Sequence, residues 1–132
     1  MAFLDETGLA TLWGLIKARN VKLACGSYVG TGTRGEANKN IVDVGFEPKI
    51  FFVQKLNASY SYTYSDWDAC GFWMQGDASL RLFSSASSIS VKTRPCSVDG
   101  TKISWYGGGF NDDAIKLQLN SSGVTYLWFA FG

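Results

Sequence analysis

The sequence predicts a mainly β protein: an antiparallel β-sandwich of the lectin-like or jelly-roll-like kind, preceded by one short N-terminal α-helix. Glycine is abundant and proline scarce, with 15 Gly and 2 Pro in 132 residues, against about 7% Gly in ordinary chains. Aromatic residues reach 15%, which suits half-buried pleated surfaces. Beyond Asn20 the apolar residues come in short runs separated by glycine-rich turn signals. A chain of this length fits a single domain and can bury roughly two-thirds of its unfolded surface.

Helical periodicity occurs near the N-terminus. Leu9, Leu12, Trp13 and Ile16 fall at i, i+3, i+4 and i+7, which gathers them on one face. Asp5 can cap the first turn, Glu6 suits the positive end of the helix dipole, and Lys17 and Arg19 suit its negative end. Gly8 and Gly14 each cost about 1 kcal/mol relative to Ala, so a helix this short needs a surface to pack on. The stripe is read as an assembly device. Residues 1–20 are therefore expected to form a trimerisation or stalk segment, and 21–132 a sandwich tip domain.

Strands are expected near 22–29, 40–45, 49–55, 69–75, 80–83, 87–92, 102–106, 114–119 and 124–131. Asp99-Gly100 lies between two short apolar-alternating stretches and signals a tight hairpin. Ile50-Phe51-Phe52-Val53 and Leu127-Trp128-Phe129-Ala130-Phe131 are continuous apolar runs, the pattern of strands buried on both faces. Trp73, Trp105 and Trp128 are expected in the core. Gly45 suits a positive φ at a strand end, Pro48 the return into the next strand, and Phe46 would point inward between them.

Composition also excludes function classes. Net charge is +1, from 12 basic and 11 acidic residues spread along the chain, so no electrostatic footprint for nucleic acid exists. No apolar stretch reaches the ~20 residues a membrane-spanning helix needs, so no membrane insertion is expected. The first residues carry no positive n-region, so no secretory signal is read. Three widely spaced cysteines, Cys25, Cys70 and Cys96, fit neither a disulfide framework nor a zinc site. They are read as reduced thiols filling small apolar spaces in a protein assembled in a reducing cytoplasm. The chain has no histidine, which removes the commonest general base and metal ligand together. Gly30-Thr-Gly-Thr-Arg-Gly35 matches G-x-G-x-x-G, but a strand rather than a helix is expected after it. A glycine-rich hairpin loop accounts for it better than a dinucleotide site.

Three stretches resemble one family. Phe3-Leu-Asp-Glu-Thr-Gly-Leu-Ala-Thr-Leu-Trp13-Gly-Leu-Ile-Lys17 is similar to a segment that introduces distal modules. Gly26-Ser-Tyr28-Val-Gly-Thr-Gly32 followed by Asn40-Ile-Val-Asp-Val-Gly45-Phe46-Glu-Pro48-Lys49-Ile-Phe-Phe-Val53 resembles a tail β-sandwich pattern. Leu119-Asn-Ser-Ser-Gly123-Val-Thr-Tyr126-Leu-Trp-Phe-Ala130-Phe-Gly132 is similar to the closing strand of that pattern. Together they resemble the tail-fibre and tail-appendage proteins of phages and prophages that infect Gram-positive bacteria. The resemblance covers about half of the chain and leaves 55–118 unmatched. It implies a homotrimeric receptor-binding module at the tail tip of a virion, assembled in the host cytoplasm, whose partner is a bacterial surface polysaccharide or wall polymer. A structural tip or connector domain with no ligand is the alternative. The resemblance transfers no binding residues.

Candidate ligand contacts come from the residues themselves. Tyr60, Tyr62 and Tyr64 alternate with Ser61, Thr63 and Ser65, so an extended chain puts the rings on one face. Asp66, Trp67 and Asp68 follow directly. Rings stack on sugar C–H faces while carboxylates accept hydroxyl hydrogen bonds. A second aromatic and polar turn holds Tyr106, Asn111 and Asp112. Asp66/Asp68 and Asp112/Asp113 are candidate carboxylate pairs, and an extended chain would put the first pair on one side at a spacing compatible with glycoside hydrolysis, but they read as solvated loop acids, and the chain is not expected to be an enzyme. The same acids lack EF-hand spacing. No cofactor and no metal are expected.

Overall fold

The computed structural model describes residues 6–18, 21–56, 70–83, 91–108 and 112–132. Its elements, in chain order, are α1 (Glu6–Ala18), β1 (Leu23–Val29), a 3-10 turn (Glu36–Asn38), β2 (Asn40–Asp43), β3 (Ile50–Lys55), β4 (Cys70–Met74), β5 (Ser79–Phe83), β6 (Val91–Asp99), β7 (Lys102–Trp105), α2 (Asp112–Leu117) and β8 (Thr125–Phe131). The expected mainly β, antiparallel architecture with a short N-terminal helix is present. Among the described residues, eight strands join in one continuous order, β1-β8-β3-β4-β5-β6-β7-β2, every pairing antiparallel. The sheet curls into a half-barrel, so one layer folds over itself and encloses a sandwich-like core.

The curl has a residue-level cause. Residues 91–95 of β6 pair with β5, whereas Cys96–Asp99 pair with β7. Pro95 stands at the changeover, and its missing N–H marks where one ladder stops. Inside the curl, alternate residues of β3, β5, β7 and β8 meet: Phe51, Val53, Leu80, Leu82, Ile103 and Tyr126 are all fully buried. Trp105 sits at the centre, its ring 5.4 Å from that of Phe51 and 6.2 Å from that of Tyr28. Trp73 of β4 joins this core, and Trp128 packs against it from a partly buried position.

Several turn signals are realised. Gly45 has φ 79° after β2, and the Asp43 carboxylate accepts a hydrogen bond from its N–H at 3.0 Å. Pro48 is fully buried, and Phe46 packs against the core. The β6–β7 hairpin forms one residue later than its sequence signal: Asp99 pairs with Lys102, and the loop is Gly100-Thr101 with Gly100 at φ 60°.

Four expectations are corrected. The strand read at 114–119 is helix α2 followed by a buried coil, Gln118-Leu119-Asn120. Asp112 and Asp113 favour the start of a helix, and four consecutive buried residues, Leu117 to Asn120, fit no alternating strand. Second, the strand read near 87–92 extends further where it is described: its last two residues, 91 and 92, open β6, which runs on to Asp99, and residues 84–90 lie outside those described. Third, the glycine-rich 30–35 segment closes no hairpin. It joins β1 to β2, which lie at opposite edges of the sheet. Fourth, the apolar runs of β3 and β8 are not buried on both faces: Leu127, Phe129 and Phe131 are 45%, 39% and 37% exposed. Cys25, likewise, is exposed rather than a core filler, while Cys96 is buried and Cys70 intermediate.

Candidate ligand-binding groove

Because the sheet curls, its two edge strands approach each other, and the loop from 30 to 39 must bridge them. The side chains that tie this seam are amides. Gln118, fully buried, accepts hydrogen bonds at Oε1 from the N–H groups of Gly35 and Gly107, both at 3.0 Å, and donates from Nε2 to the Asn38 carbonyl at 2.7 Å. Asn120 accepts from Thr31 N–H at 3.0 Å and donates to the Thr33 carbonyl at 2.8 Å and to Thr31 Oγ1 at 2.9 Å. Asn40, at the start of β2, donates to the Gln118 carbonyl at 2.8 Å. Trp105 Nε1 donates to that same carbonyl at 2.8 Å. Buried amides used up in this way are anchors: they hold the loop and leave no hydrogen-bonding capacity idle.

Tyr28 completes the seam from β1. Its ring stacks on Tyr126 at 5.1 Å, and its hydroxyl donates to the Leu119 carbonyl at 2.8 Å. Burial raises the phenol well above its ordinary range, and neighbouring Tyr126 adds to the rise. Tyr28 is therefore a neutral donor rather than an acid or base near neutral pH.

Two open grooves flank the bridge. One, of about 300 Å³, runs between β1 and β2, with Tyr28, Thr31, Thr33, Asn38 and Lys39 along it. The other, of about 180 Å³, lies on the far side of the 3-10 turn between Glu36, Lys39, Ser97, Ser104 and Tyr106. Lys39 borders both. Beyond those committed amides, the hydroxyls of Thr31, Thr33, Ser97 and Ser104, the Lys39 cation, the Glu36 carboxylate and the Tyr106 ring suit a polyhydroxylated or phosphate-bearing ligand, which is held by many hydrogen bonds and ring contacts. Among the described residues no group of three or more His, Cys, Asp or Glu side chains could hold a metal ion.

Of the residues singled out in the sequence, Tyr106 lies in the second groove. Tyr60, Tyr62, Tyr64, Asp66, Trp67, Asp68 and Asn111 lie outside the described residues, and Asp112 opens α2 with its side chain outside them. Leu9, Leu12 and Trp13 are exposed on α1, as an assembly stripe would be, and the side chain of Ile16 is outside the described set. Sequence reasoning missed Tyr28, Lys39, Asn40, Gln118 and Asn120. A signal existed for two of them: Gln118 and Asn120 interleave with Leu117 and Leu119, polar amides inside an apolar run that call for buried partners.

The second and third stretches of the family resemblance meet in space, whereas the first lies on α1, which packs on no described strand to any substantial extent. β1 pairs along its length with β8, and β3 pairs with β8 on the other side. Gly26 leaves room for Trp128, whose Cζ2 would stand 2.6 Å from an added Cβ. Gly30 faces the Ser121 carbonyl and Gly132 faces Phe46, each too closely for any side chain. The second and third stretches thus form one packing unit. Comparison with known protein families, curated proteins and solved structures gives no match.

Proposed function

We propose that this chain is a non-catalytic receptor-binding module of a phage tail fibre, carried at the tail tip of the virion, that recognises a bacterial surface glycan or anionic wall polymer. The observation that carries the reading is the pair of open polar grooves meeting at Lys39, held in shape by buried amides whose hydrogen bonds are already made. A site organised before binding loses little entropy when a flexible polymer docks. The meeting of the matched stretches on β1, β3 and β8 supports the family resemblance behind the proposal.

Binding of the full chain to intact Gram-positive cells and to an array of wall polymers tests it. Lys39→Ala and Tyr106→Ala are each expected to weaken binding about tenfold, about 1.4 kcal/mol. If only Tyr62→Ala and Trp67→Ala weaken it, the site moves to the 60–68 segment. If wild-type protein binds no cell and no polymer, the receptor reading falls.

The second reading, a structural tip or connector domain, is favoured by one specific observation, the exposed apolar faces of α1 and β8. It predicts that substitutions there abolish assembly while no variant affects adhesion.

A further inference from the structure

A curled sheet has two faces, and the described residues cover only the inner one. The outward residues of β1, β8, β3 and β4 stand in register. Leu23, Phe131, Ile50 and Met74 form one cross-strand row. The adjacent row is Cys25, Phe129, Phe52 and Phe72, and its first charge is Arg81, on β5. Ring contacts run along and between the rows: Phe52 stacks on Phe129 within one row at 5.0 Å, and Phe129 meets Phe131 of the other edge-on at 5.9 Å. Leu23 is 64% exposed and Met74 45%. From strand and residue spacings the two rows measure about 20 Å by 14 Å, roughly 280 Å², which approaches the size of the largest apolar patch of a typical monomer, often a functional one.

The same chain carries a second apolar surface that is about half exposed. Leu9, Leu12 and Trp13 of α1 are 52%, 46% and 59% exposed, and with Ala10 they border an almost wholly apolar hollow. Its 13 residues make a rod of about 20 Å, the height of the sheet face. The tether from α1 to the sheet is short, since Lys22 already pairs with Gly132 as an extension of the β1–β8 ladder.

We propose that the outer face of β1-β8-β3-β4 seats a second copy of this chain, with α1 of each copy laid across the sheet of the other. The area argues for a copy. The face alone offers about a third of the ~800 Å² that each partner buries in a standard interface, and the helix stripe supplies more when the exchange is reciprocal. Both surfaces lack charge at their centres, so each solvates poorly and each is a fit cover for the other. The proposal does not depend on the receptor reading, because it uses the Leu23 and Cys25 end of β1, while the grooves beside Lys39 lie at the Tyr28 and Val29 end.

Cys25 lies within the face and is exposed in the single chain, so its thiol reports whether the face is covered. The full chain is tested by sedimentation and by maleimide labelling under native conditions, with Leu12→Asp and Phe129→Lys as variants. Leu12 is on the exposed helix, so its variant leaves the sheet core untouched. The expected result is a wild-type oligomer whose Cys25 labels about tenfold more slowly than an exposed thiol, and two variants that sediment as monomers with fast labelling. A wild-type monomer overturns the proposal, including one with slow labelling, which would place α1 on its own sheet. An oligomer in which Cys25 labels fast also overturns it, and so does one that survives Phe129→Lys.

Discussion

Gln118 shows how much a single side chain can hold in this fold. It satisfies two backbone N–H groups and one carbonyl from segments far apart in the chain. Gln118→Ala would orphan the buried Gly107 N–H and release the half-buried bonds to Gly35 and Asn38, and is expected to lower stability by about 2 kcal/mol, read from urea unfolding followed by tryptophan fluorescence. Cys96 makes a pH prediction. Burial, with nearby Asp77 adding to it, pushes its thiol from the usual 9 up to about 12. Above pH 9 the unfolded chain releases a proton that the folded chain keeps. Stability is therefore complete below pH 9 and declines as pH rises from 9 towards 12. Tyr28, also raised, steepens the decline. Urea midpoints measured from pH 7 to 11 check this, and Cys96→Ala should flatten the slope although it lowers the midpoint overall.

At the scale of elements, β6 and α1 behave oppositely. β6 belongs to two ladders and turns the sheet at Pro95, so it is integral to the curl. α1 leaves Leu9, Leu12 and Trp13 exposed and packs on no described strand to any substantial extent. Deleting residues 1–20 is accordingly expected to leave the β circular-dichroism spectrum intact. In dilute protein it should change unfolding free energy by no more than about 0.5 kcal/mol, while abolishing self-association in sedimentation. α2 is too short to stand alone. The buried run from Leu117 in its last turn to Asn120 beyond it anchors the helix to the core.

The whole molecule presents two surfaces of contrasting physics. The grooves beside Lys39 are polar, and a wall polymer held there by charge should bind more weakly as salt rises from about 0.1 to 0.5 M, because exposed charges are screened. The outer sheet face is apolar, and association through it should hold or strengthen over the same range. Measuring adhesion and sedimentation side by side across that salt series separates the two surfaces. Opposite salt responses are expected; a parallel fall in both would mean that a single charged surface serves both.

Much of the architecture was legible in the residues. Alternation and turn chemistry are local, so the strands from 22 to 29, 40 to 45, 49 to 55 and 124 to 131 were placed within a residue or two, and Gly45 and Gly100 took the positive φ that turns require. The apolar stripe of α1 was equally visible, because a helix writes its period into the chain. What the residues did not reveal depended on which distant segments meet. An apolar run such as Leu127–Phe131 reads the same whether its second face is covered or bare, and only the order β1-β8-β3-β4 showed it bare. Gln118 looked like a strand residue and Asn120 lay just beyond that strand, because their partners, Thr31, Gly35, Asn38 and Gly107, lie 11 to 89 positions away. By itself the sequence determined a glycine-punctuated β protein with a helical arm. The tertiary structure alone decided where the edges meet, which cation borders both grooves and which apolar face stays open, since those depend on closing long loops and not on local preference.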